Sequence, residues 1–320
     1  MAGRAEMKTT RLKRVDEIVL RPVAPFNFRL TLWKPSHFVT NLEVHDQDTS
    51  WRTFRFDRCV VGAKLWMDGG TLRVGVFSNN HWDQEARVRL VARIENGYGL
   101  YDDMASFDRV ARRDSVLRKS YRSLRGMRAS CPESVFEIAI VSLLLQNTTI
   151  QRSTQMMRAL LARYGTSVSF DGRSLQAFFS PRDLARATEA DLRQHCRLGY
   201  RAKYMTNYAD YFAVRDDDGL RAKPREELVA ELMEIKGVGP YTAAVVSSHA
   251  LRDTSAIPLD VWNRRIYSRR ILGQDDCEAK AIERLMRRRY GAQAGLAALY
   301  LTEDEYRGKP LQPLLDQPGK

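Results

Sequence analysis

The chain has 320 residues, 44% of them hydrophobic, and a formal net charge of +13 at pH 7. That length and apolar content suit two packed domains, and no uncharged apolar run of about 18 residues is present to span a membrane. The basic excess favours a polyanionic partner, either nucleic acid or an acidic membrane surface.

The opening stretch, "MAGRAEMKTTRLKR", is basic and polar and lacks the apolar core of a secretory signal. Cys59, Cys131, Cys196 and Cys277 lie far apart with no CxxC pair. Neither a zinc site nor an iron–sulfur cluster is expected from them, and a reducing cytosolic setting is the default. Residues 15–95 predict strands. "VDEIVLRP", "FNFRLTLW", "SWRTFRFD", "CVVGAKLWM", "TLRVGVFS" and "ARVRLVARI" are short and rich in Val, Phe, Leu and Trp, and several alternate apolar with polar residues. "DGG" at 68–70 marks a hairpin turn.

After "ENGYGLYDD" (95–103) the pattern becomes helical. "PESVFEIAIVSLLLQNTT" (132–149), with its nearly continuous apolar middle, predicts a central buried helix. Further helices are expected over 149–165, 180–196, 201–214, 225–235, 241–251, 261–271 and 277–300. The predicted architecture is α+β: an antiparallel β domain over 1–104, then a helical domain over 105–320. Arginine is dense over 109–128 and 263–270.

"ELMEIKGVGPYTAAVV" (231–246) places Gly237-Val238-Gly239-Pro240 between two helical patterns. Two glycines and a proline would each weaken a continuous helix, so the stretch predicts two helices joined by a tight hairpin over 225–251. Such a turn can aim successive backbone N–H groups, together with the dipole of the second helix, at a phosphate. An ordinary hairpin without a ligand is the plain alternative. Further on, "TSAIPLDVWNRRI" (254–266) begins extended, turns at Pro258 and enters a helix at Asp260. An aspartate there commonly caps the helix.

Taken together, "LMEIKGVGPYTAAVV", the "PLD" aspartate, "LLLQNTT" and "LGYRAKY" resemble the helix-hairpin-helix DNA glycosylase superfamily over roughly residues 100–300. The strand-rich first domain resembles the 3-methyladenine glycosylase II and 8-oxoguanine glycosylase branches. Only Cys277 follows Asp260, so the four-cysteine iron–sulfur cluster of other branches is absent from the pattern.

The resemblance implies that the chain binds double-stranded DNA containing a damaged base and flips that base out. Asp260 becomes the catalytic carboxylate, Tyr241 and Trp262 line the base pocket, and Gln146 and Asn147 form the wedge that fills the vacated stack. Lys236, Gly237, Gly239, Arg264 and Arg265 become phosphate contacts. The carbonyls of Met233, Ile235 and Val238 become ligands of a monovalent cation, Na or K, with no other cofactor required. Trp262 stands where many relatives carry a phosphate-binding histidine, and Arg264 or Arg265 would replace that contact.

Bifunctional relatives carry a Schiff-base lysine where this chain has Tyr241, so a monofunctional enzyme is expected; an aromatic pocket of Tyr241 and Trp262 suits a cationic N-alkylated purine, with deaminated or oxidised bases as the alternatives. It is expected to work as a monomer in the cytoplasm at the nucleoid, or in the nucleus of a eukaryote. A bifunctional 8-oxoguanine-type lyase using Lys236, and a non-catalytic DNA-binding relative, are the alternatives.

Overall fold

The computed structural model describes residues 9–32, 42–56, 59–132, 134–257 and 259–307. The turn expected at Pro258, the first eight residues of the basic N-terminal stretch, Trp33 and Asp57 lie outside them. Among the described residues no helix is long and apolar enough to cross a membrane.

The first part is built from β1 (Thr10–Arg11), β2 (Lys13–Leu20), β3 (Glu43–Asp46), β4 (Thr49–Phe56), β5 (Cys59–Asp68) and β6 (Thr71–Ser78). Strands β2 to β6 form an antiparallel sheet in the order β2-β6-β5-β4-β3. Asp68 pairs with Thr71 across the Gly69-Gly70 turn, where φ values of 54° and 84° suit residues without a Cβ.

Two segments expected to be strands are helices. α1 (Phe28–Leu32) covers much of "FNFRLTLW", and α2 (Gln84–Tyr98) covers "ARVRLVARI". The physical reason lies in capping and spacing. Asn27 Oδ1 accepts from Leu30 N at 2.9 Å, and Asp83 Oδ1 accepts from Ala86 N at 2.9 Å. Leu90, Ile94 and Tyr98 recur every fourth residue and bury one stripe of α2 against the sheet. The i, i+4 stripe outweighs the local Val-rich alternation, because each buried aliphatic side chain contributes about 1.5–3 kcal/mol.

Helices α3 (Ala105–Arg113), α4 (Leu117–Ser123), α5 (Val135–Leu145) and α6 (Ile150–Tyr164) follow. Next comes a β-hairpin, β7 (Thr166–Phe170) and β8 (Arg173–Ala177), inside the region expected to be wholly helical. β1 pairs with β7 in parallel, making a second sheet in the order β1-β7-β8. Val168, Phe170, Leu175 and Ala177 from this hairpin pack with Trp51, Val60 and Phe77 of the large sheet. At Gly62 a Cβ would lie 2.6 Å from the Phe170 ring, so the glycine admits the aromatic side chain. The large sheet is thus covered on one face by α2 and on the other by this hairpin.

The remaining helices are α7 (Pro181–Leu184), α8 (Glu189–Cys196), α9 (Arg201–Ala213), α10 (Asp217–Arg221), α11 (Arg225–Met233), α12 (Pro240–Ala250), α13 (Val261–Tyr267), α14 (Ala279–Tyr290) and α15 (Ala294–Tyr306). They divide into two cores. Helices α5 to α12 bury Ile140, Leu143, Met157, Leu160, Met205 and Leu232. Helices α3, α4 and α13 to α15 bury Phe107, Leu117, Tyr267, Ile282 and Tyr300. Asp260 begins the first helix of the second core after α12, the last helix of the first, so it stands at their seam.

Candidate active site and nucleic-acid interface

The hairpin between α11 and α12 is fixed from several directions. Gly237 adopts φ 100°, and a Cβ there would lie 2.6 Å from the Tyr204 ring of α9. Both facts require glycine. Its carbonyl accepts from Gln146 Nε2 at 3.3 Å and from the Tyr208 hydroxyl at 3.4 Å. Gly239 differs, because nothing lies within 4 Å of a Cβ built on it. It is the N-cap of α12 and supplies no side-chain acceptor, and Pro240 follows at the first helical position. The N–H groups of Gly239, Tyr241 and Thr242 therefore meet no acceptor among the described residues. Three open donors at the positive end of a helix make an anion site. Lys236 is exposed beside them and makes no ion pair among the described residues.

Of the three carbonyls expected to hold a cation, that of Ile235 accepts from Val238 N at 2.9 Å. A carbonyl oxygen has a second lone pair, so that bond leaves it able to take a cation as well. Among the described residues no cluster of three His, Cys, Asp or Glu side chains is poised to hold a metal.

The end of α5 meets this hairpin. Gln146 and Asn147 take different positions there. The Gln146 carboxamide is half-buried and donates to Gly237 O and to Thr242 Oγ1, both at 3.3 Å. It cross-links α5 to the hairpin. Asn147 is exposed and adopts φ 46°, in the left-handed region. Arg201 supports this turn from below. It is buried, donates from Nε to Leu143 O at 3.2 Å, and also bonds Gln146 O. It thereby satisfies carbonyls that the end of α5 would otherwise leave open. Sequence reasoning missed Arg201 and Tyr204, although both lie in the "LGYRAKY" segment it singled out.

Asp260 is exposed and caps α13, accepting from Asn263 N at 2.7 Å through Oδ1. Its position is set by an anchor that sequence reasoning also missed. Gly295 N and Leu296 N, at the start of α15, donate to Thr254 O at 2.8 and 3.2 Å. A Cβ on Gly295 would lie 2.4 Å from Ala256 O and 2.6 Å from Thr254 O. The close approach pins the segment that delivers Asp260. At its other end Arg252 binds Asp102 through Nε at 3.0 Å and Nη2 at 2.6 Å, holding the end of α12 to the α2–α3 connection.

Tyr241 lies on the first turn of α12, and Trp262 on the first turn of α13, two residues after Asp260. Tyr241 is 51% exposed. Burial, then the Asp260 charge, pushes the phenol up to about 12. Burial likewise pushes Tyr267 up, with smaller contributions from Asp260 and Tyr241. The three side chains therefore share one electrostatic neighbourhood. Trp262 is 66% exposed and Val261 53% exposed. Large apolar side chains open to water beside a carboxylate mark a binding surface more than a packing need.

The two arginines of α13 are unequal. Arg264 makes a bidentate pair with Asp276, both bonds 2.7 Å. Its guanidinium is occupied. Arg265 is exposed and reaches Asp276 only at 3.8 Å.

The chain is 30% identical over 229 residues to a protein named "Probable N-glycosylase/DNA lyase" from Methanothermobacter thermautotrophicus, covering 64% of this chain and 72% of that one. It is 24% identical over 180 residues to the "DNA-3-methyladenine glycosylase" of Bacillus subtilis, covering 56% of this chain and 59% of that relative. The solved 3-methyladenine DNA-glycosylase of Archaeoglobus fulgidus has the same fold, with a TM-score of 0.76 at 21% identity, covering 91% of this chain and 99% of that one. Residues 140–291 match the family described as "HhH-GPD superfamily base excision DNA repair protein". That span holds the end of α5, the hairpin and Asp260, so the site built above coincides with the family's region, and the chain belongs to the HhH-GPD superfamily of base excision DNA repair proteins, with the reaction class of a DNA N-glycosylase.

Proposed function

We propose that the chain is a monofunctional DNA glycosylase that releases an N-alkylated purine and leaves an abasic site in an intact strand. The observation that carries the reading is Tyr241 on the first turn of α12, where bifunctional relatives carry a lysine, together with Asp260 at the N-cap of α13. At neutral pH Tyr241 is a neutral phenol, which cannot form an imine with the sugar.

In this reading the open N–H groups after Gly237 and Gly239 and the Lys236 ammonium take a phosphate of the damaged strand, with Arg265 as an outer contact. The base leaves the stack, since its glycosidic bond is out of reach within the duplex. Asn147, exposed at the tip of α5, fills the gap, while Gln146 holds that tip against the hairpin. Carbonyls of Met233, Ile235 and Val238 hold a monovalent cation beside the phosphate.

The flipped base enters beside Tyr241 and Trp262. An alkylated purine carries positive charge, which aromatic faces stabilise. As the C1′–N bond breaks, its electron pair leaves with the base and positive charge develops on the sugar. The Asp260 carboxylate stabilises that charge and receives the proton of the water that adds to C1′. The protein acts as a monomer on damaged duplex DNA.

A second reading is favoured by the 30% identical relative named as a glycosylase/lyase. Under it the exposed Lys236 attacks C1′ and the strand is cut. Base release measured against duplexes bearing alkylated, deaminated and oxidised bases tests the substrate proposal. Release confined to N-alkylpurines is expected. Release of 8-oxoguanine in preference to them would overturn it.

A further inference from the structure

A basic surface lies at the opposite end of α13 from Asp260. Helix α4 buries Leu117, Ser120 and Tyr121 and turns Arg118, Lys119 and Arg122 outward. These three line a cleft of about 410 Å³ with Ser115, Ser123 and Arg307. A second cleft adjoins it, lined by Arg112, Arg118, Tyr121, Arg122 and Arg125.

The cations of this face are largely unpaired. Several surface arginines are matched, as Arg73 is with Asp68 and Glu17, Arg163 with Asp191, Arg193 with Glu189, and Arg287 with Glu283, while others, such as Arg152, Arg186 and Arg288, are exposed singly. Arg112 is matched by Asp108 at 2.7 Å, and Arg307 has a distant partner in Asp304 at 3.9 Å. Arg118, Lys119 and Arg122 have no carboxylate partner among the described residues. Arg118 and Arg122 also stand i, i+4 on one helix, where like charges repel and weaken it. What sets the face apart is that these cations line two adjoining clefts.

The location separates this face from the site of base release. Ser120, on the inner side of α4, accepts from Arg270 Nη2 at 2.8 Å. Arg270 lies ten residues after Asp260 along α13 and the π-helical turn Ser268–Leu272 that continues it. At a helical rise that is about 15 Å. The aspartate stands at the N-terminal end of this helix and the basic face at its C-terminal end.

We propose that the Arg118–Lys119–Arg122 face binds the phosphate backbone of a second duplex DNA segment, separate from the one held by the hairpin. The cations run along one face of α4 and continue onto Arg125 and Arg307 across two adjoining clefts, a spread suited to a row of phosphates. Backbone charge is sequence-independent, so this contact holds undamaged DNA while the hairpin face holds the lesion. The inference rests on DNA as the partner and is independent of which base is released.

The test pre-saturates the protein with a duplex bearing a non-hydrolysable abasic-site analogue and titrates it with labelled undamaged duplex at low salt. Wild type should take up the second duplex. Arg118→Gln/Lys119→Gln/Arg122→Gln should bind it roughly tenfold or more weakly, with the slope of log K against log salt smaller by about 2.7 for three lost phosphate contacts. The same variant should release base from a short lesion duplex at the wild-type rate, which also shows that it is folded. The proposal is overturned if wild type saturates at one duplex, if the variant takes up the second as wild type does, or if base release falls with it. It is equally overturned if the face binds polyglutamate and no duplex.

Discussion

Asp260 has an observed structural role and a proposed catalytic one, and substitution can separate them. Its Oδ1 caps α13 through Asn263 N at 2.7 Å, and in the proposed reaction its charge faces the sugar cation. Asparagine caps a helix about as well as aspartate, so Asp260→Asn keeps the cap and removes the charge. A carboxylate about 4 Å from a unit positive charge, at an effective dielectric of about 20, is worth roughly 4 kcal/mol. Each 1.36 kcal/mol is a factor of about ten in rate. Asp260→Asn should therefore lose about three orders of magnitude in single-turnover base release, while its affinity for an abasic-site duplex stays near wild type. Asp260→Ala should show the same kinetic loss and a further cost of about 1 kcal/mol in stability from the missing cap. Thermal unfolding and single-turnover assays on both variants separate the two effects. Base release within tenfold of wild type by folded Asp260→Asn would refute the assignment of catalytic charge to this carboxylate.

Other expectations follow from the geometry. Gly239→Ala has open space before it, so it should melt like wild type yet bind any duplex more weakly, as measured by anisotropy. Gly237→Ala faces both φ 100° and the Tyr204 ring; it should lose more than about 1 kcal/mol of stability, and unfolding in urea reads this directly. Gly295→Ala would drive a methyl into the carbonyls of Thr254 and Ala256 and displace the segment leading to Asp260; base release should fall more than duplex affinity. Glu231 is held near 2 by Lys223 first, then Arg215 and Tyr211. Its folded pKa lies below the ordinary value of 4.5, so its stabilisation is present above that value and is lost as pH falls toward 2. Glu231→Gln should flatten the loss of stability across that interval in acid unfolding curves, and an unchanged acid limb would count against the network.

The sequence made the hairpin and Asp260 legible because their chemistry is local. Gly237, Gly239 and Pro240 disrupt any helix they sit in, whatever surrounds them, and Asp260 caps the helix that follows it. The parts that stayed hidden depend on partners remote in the chain. α2 alternates like a strand over "ARVRLVARI", and only the sheet it covers shows that the every-fourth-residue stripe governs. The β7–β8 hairpin is short and finds its stability in Trp51, Val60 and Phe77, about a hundred residues earlier. Gln146 and Asn147 are adjacent and chemically alike, but the left-handed turn at Asn147 sends them to different surroundings. Arg264 and Arg265 look interchangeable until Asp276 claims one of them. Gly295 has no sequence mark at all, since its role is to admit the carbonyls of another segment.

The central claim is that Asp260 and Tyr241 perform base release without cutting the strand. It is tested most directly by treating wild-type protein and an N-alkylpurine duplex with borohydride during turnover, with strand integrity measured before and after alkali. The account expects free base, a strand cut only after alkali, and no trapped protein–DNA adduct. Efficient trapping that Lys236→Gln abolishes, with strand cleavage before alkali, would contradict it.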